Sequence, residues 1–466
     1  MTLVVEAPPS YEPERRYALD VVLSEWLGLN WRLRVDDRRN DMRITLEGDA
    51  APRCAVVPDG LFATDSRDWL TDASLPRSPV PWRTGPDHQP VPVLYGPDPP
   101  PALLSEEEDG VRLGVDVFGS AFFMLTRYEE VVVPARDAYG RFPASASVAA
   151  REGFLGQPIV DAYVQLLWAA LRRLWPRLER KPPVLRLSLT HDVDDPLAFL
   201  GRSGPGLARQ LAADALVRRD LPLAVRRTRS WAARRRADYR LDPHNTFDFL
   251  MDVSERHGIV SAFNFLATKD ADTLDGFYSL EDPWIRSLMS AIHRRGHELG
   301  FHAGFHTYRD AVRTAEEFRR LRTAAEEIGI GQDRWGGRQH YLRWEAPATW
   351  WNWERAGLDY DSTVGYAECA GFRVGTCHEF PVFDLRQRRR LQLRERPLHV
   401  MERSLFDYMR LAPETALETV LDLARGCRAT GGTLTLLWHN STLLTARQRR
   451  WYETMVAALA HASSSS

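Results

Sequence analysis

From Val184 onward the chain alternates short β-rich runs with helical ones, and this alternation restricts the fold more than any other feature of the sequence. Strand-type runs fall at 184–190, 261–267, 297–301, 335–339, 379–382, 398–402 and 433–438. Helix-type runs fall at about 206–219, 246–257, 283–295, 310–328, 347–356, 413–429 and 445–460. A helix between two strands returns the chain to the starting end of the sheet, so neighbouring strands run parallel. The expected fold class is α/β, with a parallel sheet or barrel. In such folds chemistry gathers at the C-terminal ends of the strands.

The first 180 residues read differently. A helix over Arg15 to Leu27, short strands such as Met42 to Leu46, a Pro-rich irregular crossing at 76–101 and a helix from Val160 to Leu178 suggest a smaller α+β unit. Nothing in it gathers His, Cys or carboxylates into a site. Lys181-Pro182-Pro183 reads as the linker, giving an N-terminal unit over 1–180, a second unit over 184–460 and a disordered serine tail at 461–466. Hydrophobic content of 44% is enough for a substantial core. The net charge of −2 gives no case for nucleic-acid binding. Cys54, Cys369, Cys377 and Cys427 form no metal-type pair and no disulfide scaffold. No run approaches the ~20 apolar residues of a membrane span. The N-terminal residues lack a basic segment followed by an apolar one, so a cytoplasmic location is expected.

Four stretches carry chemistry. Leu185, Leu187 and Leu189 alternate as in a half-buried strand, which then ends in Asp192, Asp194 and Asp195 before Pro196. Carboxylates crowded at a strand tip repel one another, and a metal or acid/base site is one use for them. His302 and His306 stand four apart after the strand 297–301, so in a helical turn both imidazoles face one divalent ion, with a carboxylate as third ligand. Arg338 ends a third strand and could hold a catalytic carboxylate through a bidentate bond; Arg343 is the alternative. His439 ends the apolar run 433–438, where it could protonate a leaving group. His191 and His297 read as supports of their strands. The arginine run 234–236 reads as a solvated face.

Together these stretches resemble the polysaccharide deacetylases with a NodB-homology domain, carbohydrate esterase family four. Thr190-His191-Asp192-Val193-Asp194 is similar to the family's Thr-Phe-Asp-Asp-Gly, with one residue inserted between the carboxylates. His302 and His306 match its His-x-x-x-His, Arg338-Gln339-His340-Tyr341 approximates its Arg-x-Pro-Tyr, and Leu436 to His439 matches its Leu-x-x-His. Asp359-Tyr360-Asp361-Ser362 meets the remaining motif loosely. The first unit resembles an accessory domain of unknown function that precedes such domains.

The resemblance implies a distorted (β/α) barrel and a divalent metal, zinc first, held by Asp194, His302 and His306, with Asp195 the rival of Asp194. Asp192 would be the general base, Arg338 its partner, Tyr341 the source of an oxyanion-binding backbone N–H, and His439 the general acid, assisted by Asp361. The implied activity is hydrolysis of an N-acetyl group on a sugar or glycan. Hydrolysis of another non-peptide C–N bond, such as a cyclic amide, and non-catalytic carbohydrate binding are the alternatives.

Overall fold

The structure, a computed structural model, describes residues 1–49, 53–85, 88–198, 211, 221–233, 238–268, 274–276 and 278–464. The arginine run 234–236 and all of the expected helix 206–219 except residue 211 fall outside them. The chain builds two large sheets. The first contains β1 (Thr2–Ala7), β2 (Asn30–Val35), β3 (Asp41–Leu46) and β4 (Cys54–Pro58). A small ribbon of β5 (Trp82–Thr84) and β6 (Pro90–Pro92) follows, and β7 (Leu104–Glu107) and β8 (Gly110–Leu113) complete the sheet in the order β2-β1-β3-β4-β8-β7. The expected helix from Arg15 is divided: an α-helix over Glu12–Leu19 runs on as a π-helical stretch over Asp20–Trp26. Helix Val117–Leu125 is apolar on every side and wholly buried. Its N-cap Asp116 accepts from the Gly119 N–H at 2.8 Å and also ties down Gly60 and Leu61.

The second sheet has nine strands: β9 (Arg186–Val193), β10 (Ala262–Leu266), β11 (Glu298–Ala303), β12 (Gly336–Gln339), β13 (Tyr360–Asp361), β14 (Phe380–Asp384), β15 (Arg389–Glu395), β16 (Val400–Met401) and β17 (Thr433–Leu437). Their order is β14-β15-β13-β12-β11-β10-β9-β17-β16. Every pair is parallel except β14 with β15. The end strands β14 and β16 do not pair with each other among the described residues, so hydrogen bonding does not close the sheet into a full barrel. The two strands without a sequence signal are β13, too short for a period, and β15, which carries three arginines and a glutamate and lies against the N-terminal unit. Residues 461–464, expected in a disordered tail, instead continue the helix Ala446–Ser464.

The two sheets share one hydrophobic core that runs from Leu3 to Leu459. Across it the Tyr17 hydroxyl donates to the Pro381 carbonyl at 2.7 Å, and Arg373 forms a fully buried pair with Glu130 at 2.6 Å. The linker peptide therefore does not separate two independently packed bodies. No described helix is long and apolar enough to cross a membrane.

Candidate active site

The parallel register brings the polar strand ends into one place. Asp192 on β9 is level with Asn264 on β10, and Asn264 with Gly300 on β11; His302 is level with Arg338 on β12. Gly300 is required here. A Cβ would sit 1.9 Å from Asn264 Oδ1, and Asn264 Nδ2 donates to Asp192 Oδ1 at 2.7 Å. Arg338 Nη1 donates to the same oxygen at 2.9 Å, with its Nε and Nη2 bound to the Ser362 carbonyl and hydroxyl. Both Oδ1 contacts leave Asp192 Oδ2 turned toward His302 Nε2, 3.8 Å away. Burial pushes the Asp192 carboxyl up, but Arg338, His302 and His439 outweigh it and hold the group below its ordinary range.

Asp194, just beyond the strand, is the centre of the cluster. His302 Nε2 is 3.1 Å from its Oδ1, and His340 Nε2 and His439 Nε2 are 3.6 and 3.5 Å from its Oδ2. Each imidazole is fixed through its other nitrogen. His302 Nδ1 bonds the Arg338 carbonyl at 2.9 Å, His340 Nδ1 bonds Asp275 at 3.0 Å, and His439 Nδ1 bonds Glu402 at 2.6 Å. With Nδ1 so occupied, Nε2 is the nitrogen that faces inward, able to carry a proton or to bind an ion. Burial pushes His340 and His439 down, but the surrounding carboxylates outweigh it and raise both to about 9. The centre thus favours positive charge, proton or cation. His302 Nε2 and Asp194 Oδ1 are buried without a hydrogen-bond partner, a costly arrangement unless something else bonds them.

The metal-type group formed here is Asp194, His302 and His340. The structure does not bring His306 into it. A helical turn would have aligned His302 with His306, but the chain makes a β-turn, with the Thr307 N–H donating to the Gly304 carbonyl at 3.0 Å. Asp275 accepts from the Phe305 N–H at 2.7 Å and Glu317 from the Gly304 N–H at 2.9 Å, which pins the turn. His306 is left exposed. Among the described residues the third member of the group is His340, whose sequence signal was only a departure from a family proline.

Asp275, which orients His340, lies outside every stretch singled out in the sequence, and Glu402, which orients His439, ends the strand-type run 398–402 without belonging to any motif. Asp361, expected beside His439, is fully buried as the last residue of β13, where it accepts from the Thr363 N–H at 2.9 Å. Arg343 points away from Asp192, to the carbonyls of Tyr139 and Phe305. Asp195 lines the site, and its carbonyl accepts from Asn440 at 3.0 Å. His191 is wholly buried and bonds the Trp438 carbonyl at 2.9 Å; burial lowers it to about 4, so it is a neutral strut.

The cluster opens into a cavity of about 390 Å³ lined also by Tyr341, Arg403 and, from the N-terminal unit, Arg141. A second metal-type grouping, Asp161, Cys377 and His378, lies where the units meet. Its carboxylate is already saturated by the Thr376 hydroxyl, the Cys377 N–H and thiol and the Thr430 hydroxyl. Burial pushes the Cys377 thiol up, away from the thiolate a metal needs. This grouping works as a hydrogen-bond hub.

A family model described as a family of unknown function, DUF7033, matches residues 3–176. No curated protein matches the chain. Among solved structures, one assigned as a polysaccharide deacetylase from Mycobacterium smegmatis is similar at 15% identity, over 60% of this chain and 85% of that one, with a TM-score of 0.38. A family 4 carbohydrate esterase from Streptomyces lividans, in complex with acetate, aligns at 13% identity over 60% and 89%, with a TM-score of 0.29. A family 4 pseudoenzyme from Bacillus anthracis aligns at 10% identity over 60% and 62%, also at 0.29. Superpositions this loose assign no role to any residue, and the functional reading rests on the site.

Proposed function

We propose that the chain is a metal-dependent hydrolase that removes an acetyl group from an N-acetylated sugar or glycan. The observation that carries this reading is one cavity at the strand ends that joins a carboxylate held by an arginine, a His-His-Asp group with unpartnered inward atoms, and a histidine backed by a glutamate. Asp194, His302 and His340 would hold the ion. Two imidazoles and a carboxylate suit zinc and leave room for water and substrate. When bound, the ion supplies Lewis acidity.

The remaining chemistry belongs to the chain. Asp192 keeps Oδ1 engaged with Arg338 and Asn264, so Oδ2 accepts the proton of the attacking water. His439 carries its proton on Nε2 and delivers it to the departing amine, while Glu402 at Nδ1 holds the ring and stabilises its charge. A carbohydrate suits a cavity lined by charged and aromatic side chains together, Tyr341 and Tyr408 among them.

The test is metal content together with acetate release over N-acetyl sugars, oligomers and nucleotide sugars, with cyclic ureides as the alternative substrates. Asp192→Asn should keep the metal and lose turnover by about 100-fold or more, as for removal of a general base. Glycan binding that survives chelation, with no turnover on any substrate, would overturn the reading in favour of a binding module.

A further inference from the structure

We infer that the loop Asp137–Arg141 of the N-terminal unit is a working part of this site, with Arg141 the residue that positions Tyr341 and, through it, His340. The inference rests on His340 as a ligand. Tyr341 and Leu342 both have positive φ, 60° and 54°. Two successive non-glycine residues in the left-handed region do not hold that shape unaided; the surroundings must impose it.

The surroundings come from the other unit. Arg141 Nη1 donates to the Tyr341 carbonyl at 3.0 Å across 200 residues of sequence. Arg343, at the exit of the same turn, donates from Nε to the Tyr139 carbonyl at 2.6 Å. The rings of Tyr139 and Tyr341 lie 5.3 Å apart. Arg343 is itself held over Phe305 and Tyr308, 3.9 and 4.1 Å from the ring centres.

Arg141 is built to hold a fixed place. Its Nε donates to Asp137 Oδ2 at 2.7 Å, and the N–H groups of Tyr139 and Arg141 both reach Asp137 Oδ1 at 2.9 Å. Only 8% of Arg141 is exposed, and what is exposed lines the catalytic cavity. The loop is therefore a clamp on the active-site turn. Without it, Tyr341 relaxes toward an ordinary backbone conformation and carries the preceding His340 with it.

The experiment uses the full-length protein with Co²⁺ as the probe, comparing wild type, Arg141→Ala and Arg141→Lys. Backbone hydrogen exchange reports on the turn, and Co²⁺ titration with the visible absorption band reports on His340. In Arg141→Ala, exchange at 340–344 should quicken while the sheet stays protected. Co²⁺ should bind about tenfold more weakly, with an altered band, as for loss of an outer partner of a ligand. Arg141→Lys, which can still reach one carbonyl, should recover part of both. Wild-type exchange and wild-type Co²⁺ binding in Arg141→Ala would overturn the inference. If Arg141→Ala does not fold, Asp137→Asn leaves the guanidinium present but unmoored and is read in the same way. If the unsubstituted protein takes up no Co²⁺, the metal reading fails, and exchange at 340–344 alone decides the clamp.

Discussion

Two clusters of buried charge sit in this molecule, and they are built in opposite ways. Where the two units meet, Arg127, Glu129, Glu130 and Arg373 satisfy one another completely. Arg127 bonds Glu130, Glu129 and the Met124 and Arg373 carbonyls, while Arg373 grips both oxygens of Glu130 and the Gly365 carbonyl. At the strand ends, Asp194 and His302 are equally buried from solvent at the atoms that matter, yet face each other with no hydrogen bond. A saturated network stabilises the fold it is part of. A network with open valences facing a cavity costs stability and has a use only when something binds there.

The sharpest way to break this contrast is to damage the saturated cluster. Glu130→Ala leaves Arg373 without its carboxylate and Arg127 with only Glu129, in a place closed to water. It should cost about 3–5 kcal/mol of stability, read from the midpoint of urea unfolding at constant slope. A loss under about 1 kcal/mol would mean that water reaches the cluster and that the contrast with the site is false.

Damage to the open cluster should do the reverse. Asp194→Asn removes the carboxylate that His340 and His439 face, but those rings can shed their protons into the cavity, so stability without metal should fall by less than the roughly 3 kcal/mol expected for breaking the saturated cluster. Metal affinity should fall more than about 100-fold, because even outer partners of ligands cost 10–100-fold. Calorimetric titration beside a thermal melt separates the two. A variant that melts early and keeps its metal would reverse the assignment of function.

A third buried pair sharpens the rule. Asp361 and Glu395 are like charges on neighbouring strands, both fully buried. Burial, and for Glu395 the neighbouring Asp361, raises both carboxyls, Asp361 to about 7. Their stabilising effect is complete below the ordinary carboxylate range, where folded and unfolded chains alike are protonated. It is lost as pH rises through about 7, because the unfolded chain ionises first. The slope is about 1.4 kcal/mol per pH unit for each proton involved. Asp361→Asn should flatten unfolding midpoints measured between pH 5 and 8, and an unchanged profile would count against the pair.

What the sequence could and could not reveal follows the same division. That Asp192, Asp194, His302, Arg338 and His439 would meet was legible because each falls at or just past the end of a strand, and a strand and its end are local signals. The fold class was legible for the same reason. The choice between His306 and His340 was not, because it turns on whether residues 304–307 form a helical turn or a β-turn. That is decided by Asp275 and Glu317, which are remote in sequence. Arg141 was invisible because it reaches the site from a segment with no pattern of its own, and Glu402 because the end of the run 398–402 carries no second polar residue to mark it as part of a site.

The smallest effects test the finest distinction, between the histidine that binds an ion and the one that moves a proton. Asp275 holds Nδ1 of His340 and Glu402 holds Nδ1 of His439, so the two carboxylates are equivalent in geometry. They are not equivalent in role if His340 is a ligand and His439 the acid. Asp275→Asn should weaken metal binding about tenfold, since it frees the ring of a ligand. Glu402→Gln should leave metal binding within about twofold while slowing acetate release, because the proton on His439 loses its stabilising charge. Equal weakening of the metal by both changes would make His439 a fourth ligand. Asp194 would then be shared among three imidazoles, and the acid would have to be sought elsewhere in the cavity.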